Sequence, residues 1–389
     1  METRNEPLPL DGLRVVALEQ AVSAPFCSRQ LAEMGADVIK IERPGEGDFA
    51  RGYDNVVSGQ SAYFVWLNRG KRSIVTDLKQ ERGLRIAAEL IRRADVFVHN
   101  LIPGAVERLG FGYEELSAKH PRLIWCGISG YGPDGPYRDK KAYDMLVQAE
   151  SGIVSLTGTE EFPARPGLSM ADIGSGLYAY SSILAALIRR ARTGRGDRID
   201  ISMFECMTEW VMPPLYVWHG AKKITARAGV RHNMVVPFGA YQCADGPVMF
   251  GLQNSREWRN FCEIVMGMPE LAGDARFRTN QARLENRQTL EALIEEEFGK
   301  HTRAEVFALL EKAMLPTGAV NDIPAVESHP QLKARHRWTS VDSPGGAIPA
   351  LIPPHNLSSV APRMGAVPAL GEHTKEILAE IGFTEAEGD

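Results

Sequence analysis

One acidic residue stands at a glycine-rich approach to a long apolar run. The stretch Gly167-Leu168-Ser169-Met170-Ala171-Asp172-Ile173-Gly174-Ser175-Gly176 leads straight into Leu177–Arg190, which reads as a helix packed on several sides. An aspartate at a helix start can accept from free backbone N–H groups, and the positive end of the helix dipole favours its ionised form. Gly174 and Gly176 leave the neighbouring backbone uncovered, so a ligand could come close. The plain alternative is an N-cap with no further role.

Basic residues gather in loops near the expected strands. Arg43 follows the second strand, Lys71 and Arg72 precede Ser73, Arg108 follows Pro103-Gly104, and Lys140 and Lys141 precede Tyr143-Asp144. Singly, each is a solvated surface charge; gathered, they make a phosphate site. The five cysteines (Cys27, Cys126, Cys206, Cys243, Cys262) and the nine histidines are dispersed and show no metal spacing. His99 reads as a satisfied strand-end histidine, Tyr178 and Tyr180 as core or interface aromatics, and Cys126 and Cys206 as buried hydrophobes.

The elements that must position these groups follow from the apolar pattern. Short apolar runs at Leu13–Leu18, Asp37–Glu42, Ser73–Thr76, Asp95–Asn100, Leu123–Ile128 and Arg198–Ser202 read as strands. Helices are expected at Pro25–Met34, Gln80–Arg93 and Met203–His219. Alternating strands and helices predict an α/β sheet covered on both faces, with ligand contacts at the carboxyl ends of its strands. Glu19–Pro25 stands where a Gly-x-Gly-x-x-Gly would follow the first strand, so a nicotinamide cofactor is unsupported. A second region begins near Lys223, with a hairpin turning at Asp245-Gly246 and helices from about Ser255, Arg287 and Arg303.

The whole chain has 389 residues, a net charge of -5, 44% hydrophobic and 24% charged residues. That is enough for two domains and gives no nucleic-acid footprint. Met1–Leu10 carries no signal-peptide core, and no apolar run is expected to span a membrane. Scattered cysteines, odd in number, fit a reducing cytoplasm.

Seven segments in order resemble the family III CoA-transferases, the CaiB/BaiF group related to carnitine and formyl-CoA transferases: Gly35–Pro44, Asn68–Ile74, Ala94–Asn100, Gly130–Pro136, Ala171–Ile173, Thr193–Gly196 and Leu370–Thr374. The resemblance implies a Rossmann-like large domain plus a smaller α+β domain, in an obligate homodimer of interlocked rings. It divides the chain into a large domain (1–202), a linker helix (203–224), a small domain (225–327) and a carboxyl-terminal segment (328–389) that returns to the large domain. It implies transfer of CoA from a thioester, with succinyl-CoA a candidate donor, to a free carboxylic acid such as itaconate, mesaconate or malate. Coenzyme A thioester is then a substrate, with no tightly bound cofactor and no metal. The family nucleophile falls on Asp172, and the CoA-site positions on Ala21, Arg43, Thr76, Asn100, Leu101, Arg108, Lys141 and Tyr143. At Ala21, Thr76 and Leu101 backbone contacts carry over more safely than side-chain ones.

A carboxylate suits this chemistry because it is ionised at neutral pH and can itself hold the acyl group or CoA. N–H groups near Gly174 and Gly176 are candidates to stabilise the oxyanions. A second carboxylate on the acceptor needs a cation; Arg231 and His232 are candidates, or a charged cluster on a linker. Two alternatives stand beside the transferase. One is an α-methylacyl-CoA racemase, which needs a histidine where Tyr143 stands; the other is a non-enzymatic CoA-ester binder.

Overall fold

The computed structural model describes residues 6–384. Two compact units divide the chain. Of the described residues, the first holds 6–153, Pro166–Pro213 and 333–384; the second holds Val154–Arg165 and Pro214–Leu332.

Six strands build the main sheet of the first unit: β1 (Arg14–Leu18), β2 (Asp37–Glu42), β3 (Arg72–Val75), β4 (Val96–His99), β5 (Ile124–Ser129) and β6 (Arg198–Ser202). Their order in the sheet is β3-β2-β1-β4-β5-β6, and every neighbouring pair is parallel. The order reverses between β1 and β4, which opens a crevice at their carboxyl ends. Strands covered on both faces lose the polar alternation of a half-exposed sheet. Val15, Val16, Ala17 and Leu18 are accordingly all buried.

One face carries the helix Glu81–Arg92. It buries Gly83, Ile86, Ala87, Leu90 and Ile91, a helical repeat of one apolar side. Gly83 must be glycine there, because a Cβ would lie 2.0 Å from the Asp77 carbonyl oxygen. The helix Thr374–Ile381 packs on the same core through Ile377, Leu378 and Ile381. Just before it, the chain runs along the open edge of β3: His373 N–H donates to the Ser73 carbonyl at 3.0 Å, and Val75 N–H donates to Thr374 Oγ1 at 3.1 Å. The carboxyl-terminal segment thus covers an edge that would otherwise pair with another chain.

On the opposite face the helix Ser23–Glu33 packs against the long helix Met170–Thr193. The long helix reaches membrane-spanning length and mean hydropathy, which corrects the expectation that no run would. It buries Ala171, Gly174, Gly176, Ala179, Tyr180, Ile183 and Ala186, the place of a core helix. The expected helix over 203–219 is two helices, Met203–Trp210 and Met212–Ala221, broken at Val211.

In the second unit β7 (Phe238–Cys243), β8 (Gly246–Gly251) and β9 (Thr317–Gly318) form an antiparallel sheet. Its core holds Tyr241, Phe250, Trp258, Phe261, Phe277 and Phe298. The segment 154–165 belongs here as well, a crossing not expected from the sequence. Arg227 ties it in by donating to the carbonyls of Thr159 and Glu160 at 2.7 and 2.8 Å.

Candidate active site

Asp172 lies in the first turn of the long helix, whose N-cap is Ser169. It is therefore not the cap. That role falls to Asp144, at the head of the short helix Asp144–Glu150. Asp144 Oδ1 accepts from the N–H of Ala171 at 2.8 Å and from the N–H of Asp172 at 3.3 Å. Asp172 keeps part of its surface open to solvent but is otherwise closely surrounded by protein. Loss of hydration and the neighbouring Asp144 carboxylate together raise its pKa to about 7. Burial outweighs the helix dipole, opposite to what the sequence position alone suggests. The carboxylate is then half ionised near neutrality and poorly hydrated.

Gly174 and Gly176 do not expose backbone to a ligand. A Cβ on Gly174 would meet Met207 and the Trp210 ring at 2.9 Å, and one on Gly176 would lie 2.6 Å from the Ser23 carbonyl oxygen. Both glycines are buried and let neighbouring helices pack closely. Being past the first four residues of the helix, their N–H groups bond within it, so the oxyanion role is corrected.

The eight positions expected to meet CoA all follow the carboxyl ends of β1 to β5. Several of them are already engaged by neighbouring protein groups. Ala21, at φ 60, donates its N–H to Asp48 Oδ1 at 2.9 Å. Thr76 N–H donates to the Glu42 carbonyl at 3.0 Å, and Leu101 N–H to His99 Nδ1 at 3.3 Å. These three backbone donors are already committed. The Asn100 side chain bridges the crevice instead, accepting from Gln20 N–H at 2.9 Å and donating to the Gln20 carbonyl at 2.7 Å and to Ser23 Oγ at 3.1 Å. It fixes the loop after β1.

Among the basic residues the structure separates two groups. Lys71 is buried and bonded to Glu19 at 2.7 Å, Asn68 Oδ1 at 3.0 Å and the Pro25 carbonyl at 3.1 Å. Arg72 pairs with Asp37, Glu376 and Glu380 at 2.6–3.0 Å, and Lys140 pairs with Glu150. None of these three is available to a phosphate. Arg43 is exposed, stacked 4.6 Å over Phe49 and paired with Glu46 at 2.7 Å. Arg108 and Lys141 are exposed and form no ion pair among the described residues. Tyr143 is 74% exposed.

Arg231 and His232 are both engaged by neighbouring groups of the protein. Arg231 pairs with Glu291 at 2.6 Å and with Glu295, beside a cavity of ≈ 660 Å³ within the second unit. His232 Nδ1 accepts from the N–H groups of Met234 and Val235 at 3.0 and 3.1 Å, so that ring nitrogen is already engaged. This corrects their expected role as carboxylate ligands.

Sequence reasoning missed a buried ionic cluster beneath the crevice. Lys40 Nζ lies 2.7 Å from Asp48 and 3.3 Å from Glu19, all fully or almost fully buried. Asp48 in turn holds Ala21 and caps the turn at Ala50. The available signal was a lysine inside the apolar strand Asp37–Glu42. His99 is buried and neutral, its pKa lowered to about 3 by loss of hydration. Its Nδ1 is satisfied, but Nε2 has no partner, so the expected satisfied histidine is only half so. All five cysteines are buried free thiols. No cluster of His, Cys, Asp and Glu among the described residues could hold a metal.

The sequence profile of CoA-transferase family III matches residues 10–374. The chain belongs to that family. It is 35% identical over 387 residues to the succinyl-CoA:glutarate CoA-transferase of Mus musculus, covering 96% of this chain and 86% of the relative. The acetyl-CoA:oxalate CoA-transferase of Acetobacter aceti is 40% identical over 330 residues, covering 84% and 85%. A CaiB/BaiF family protein from Brucella suis superposes with a TM-score of 0.83 at 36% identity, over 97% of this chain and 100% of that one. This family III member is thus an enzyme of the CoA-transferase class.

Proposed function

We propose that this family III CoA-transferase moves CoA from succinyl-CoA to a short dicarboxylic acid, with Asp172 as the covalent nucleophile. One observation carries the reading. Asp172 is a poorly hydrated, partly open carboxyl in the same unit as Arg43, Arg108 and Lys141, the exposed cations beyond the strand ends. The cations suit the phosphates of CoA, and the carboxyl suits its thioester. Ala21, Thr76, Asn100, Leu101 and Tyr143 complete the expected CoA contacts by shape and carbonyl groups.

The steps balance without a metal or redox partner. Ionised Asp172 attacks the donor's thioester carbonyl, forms a mixed anhydride and expels CoA thiolate. The thiolate attacks the aspartyl carbonyl, which releases the donor acid and leaves an aspartyl-CoA thioester. The acceptor carboxylate attacks that thioester, giving a second anhydride and CoA thiolate. The thiolate then attacks the acceptor's acyl carbon, and Asp172 is regenerated as a carboxylate. Restricted hydration keeps the carboxylate reactive and protects both intermediates from water.

Both named relatives act on dicarboxylates, glutarate and oxalate, which supports a dicarboxylate acceptor here. Itaconate, mesaconate and malate belong in the same panel. With succinyl-CoA as donor, at least one short dicarboxylate is expected to yield its CoA ester by mass spectrometry, faster than monocarboxylates of similar length. Reaction with monocarboxylates alone would refute the acceptor class. We further propose a cytoplasmic, obligate homodimer. Sedimentation should then give twice the chain mass at nanomolar concentration, and a stable folded monomer would contradict it.

A further inference from the structure

The long helix does not cap itself; a carboxylate from another helix does so, at the residue that carries the chemistry. We propose that Asp144 is a positioning residue, anchoring the turn that carries Asp172 and favouring its acylated over its free form. The inference rests on Asp172 being the nucleophile.

Asp144 Oδ1 accepts from Ala171 and Asp172 N–H, so it bonds the backbone of the nucleophile itself. Its other oxygen accepts from Gln148 Nε2 at 2.6 Å. Gln148 is fully buried and also donates to the Leu168 carbonyl at 3.1 Å, just ahead of the long helix. Asp144 and Gln148 together therefore tie the short helix, the approach segment and the first helical turn to one another. Asp144 is thereby held next to a second carboxylate. Two adjacent anions repel in a poorly hydrated setting. The repulsion disappears when Asp172 becomes an anhydride or a thioester, both neutral at that carbonyl. Asp144 thus opposes the free carboxylate and not the intermediates.

Several other charged groups on the elements around the long helix are paired among themselves. Arg29 and Glu33 pair with each other, and Glu33 also with Arg69. Glu150 pairs with Lys140, and Asp200 on β6 with Arg198. Glu205 and Glu209, on the helix Met203–Trp210, make no ion pair among the described residues, and neither contributes to the shift at Asp172. Tyr53 is near enough that Asp172 and Tyr143 help raise its phenol, after burial and Asp48, so it stays neutral there.

The test compares Asp144→Asn, Asp144→Ala and the unaltered enzyme. The asparagine keeps an oxygen for both N–H groups and removes the charge. Its new amide can be met by Gln148 Oε1, which is buried without a partner. For Asp144→Asn the acid limb of kcat/KM should move down by about one pH unit, because Asp172 then stays ionised at lower pH. Less covalent adduct should accumulate on Asp172 with succinyl-CoA alone. Asp144→Ala, checked for folding by circular dichroism, should lose at least tenfold in kcat with donor KM little changed. A pH profile and adduct level of Asp144→Asn that superpose on the unaltered enzyme would overturn the proposal. If the unaltered enzyme carries no label on Asp172, the reading beneath it fails and the proposal falls with it.

Discussion

Replacing Asp172 by alanine is expected to cut CoA exchange by roughly a thousandfold or more, with the protein still folded. The two effects are separable because Asp172 does not cap its helix; Asp144 does. The nucleophile can thus be removed without freeing the helix N-terminus. At alkaline pH the variant should even be more stable than the parent. The folded protein holds the Asp172 proton up to about pH 7, whereas the unfolded chain releases it near 4. Between those values the native state binds one proton more, so stability falls as pH rises, by about 1.4 kcal/mol per unit. Asp172→Ala abolishes that slope. Thermal melts at pH 5 and pH 8 should show the variant gaining on the parent at the higher pH. A variant that melts earlier at pH 8 would contradict the assigned environment.

Lys40→Met should cost about 3–5 kcal/mol, a large fraction of the stability of an ordinary domain. Lys40 is fully buried on β2 and lies 2.7 Å from Asp48 and 3.3 Å from Glu19. Glu19 keeps Lys71 at 2.7 Å, but Asp48 loses its counter-ion. Asp48 still accepts from Ala21 and Ala50 N–H, so its charge remains buried with only neutral partners. Adding Asp48→Asn should recover part of the loss, since the second change removes the stranded charge. Urea unfolding of the two variants measures both terms. A Lys40→Met protein within 1 kcal/mol of the parent would show that the cluster is not what holds the loop after β1.

The sheet was legible because its strands are covered on both faces, and such strands read as unbroken apolar runs. All six appear within two residues of expectation, from Arg14–Leu18 to Arg198–Ser202. The site was harder, and each misreading has one cause: a partner distant in sequence. Asp172 reads as a cap until Asp144, 28 residues earlier, takes that role. Lys71 reads as a surface cation until Glu19, 52 residues earlier, buries it. Gly174 and Gly176 read as open backbone until Trp210, Met207 and Ser23 close over them. Residue type and local spacing carry no record of such contacts. The location of Asp172 came through resemblance; its altered acidity came only from its surroundings.

The proposed mechanism requires Asp172 itself to bond to the migrating group. It is tested most directly by incubating the enzyme with succinyl-CoA and no acceptor, treating it with hydroxylamine, and mapping the peptides by mass spectrometry. A hydroxamate is expected on the Asp172 side chain, formed only when the CoA ester is present and absent from Asp172→Ala. Modification at Asp144 or at a cysteine, or turnover with no adduct at any pH, would contradict it.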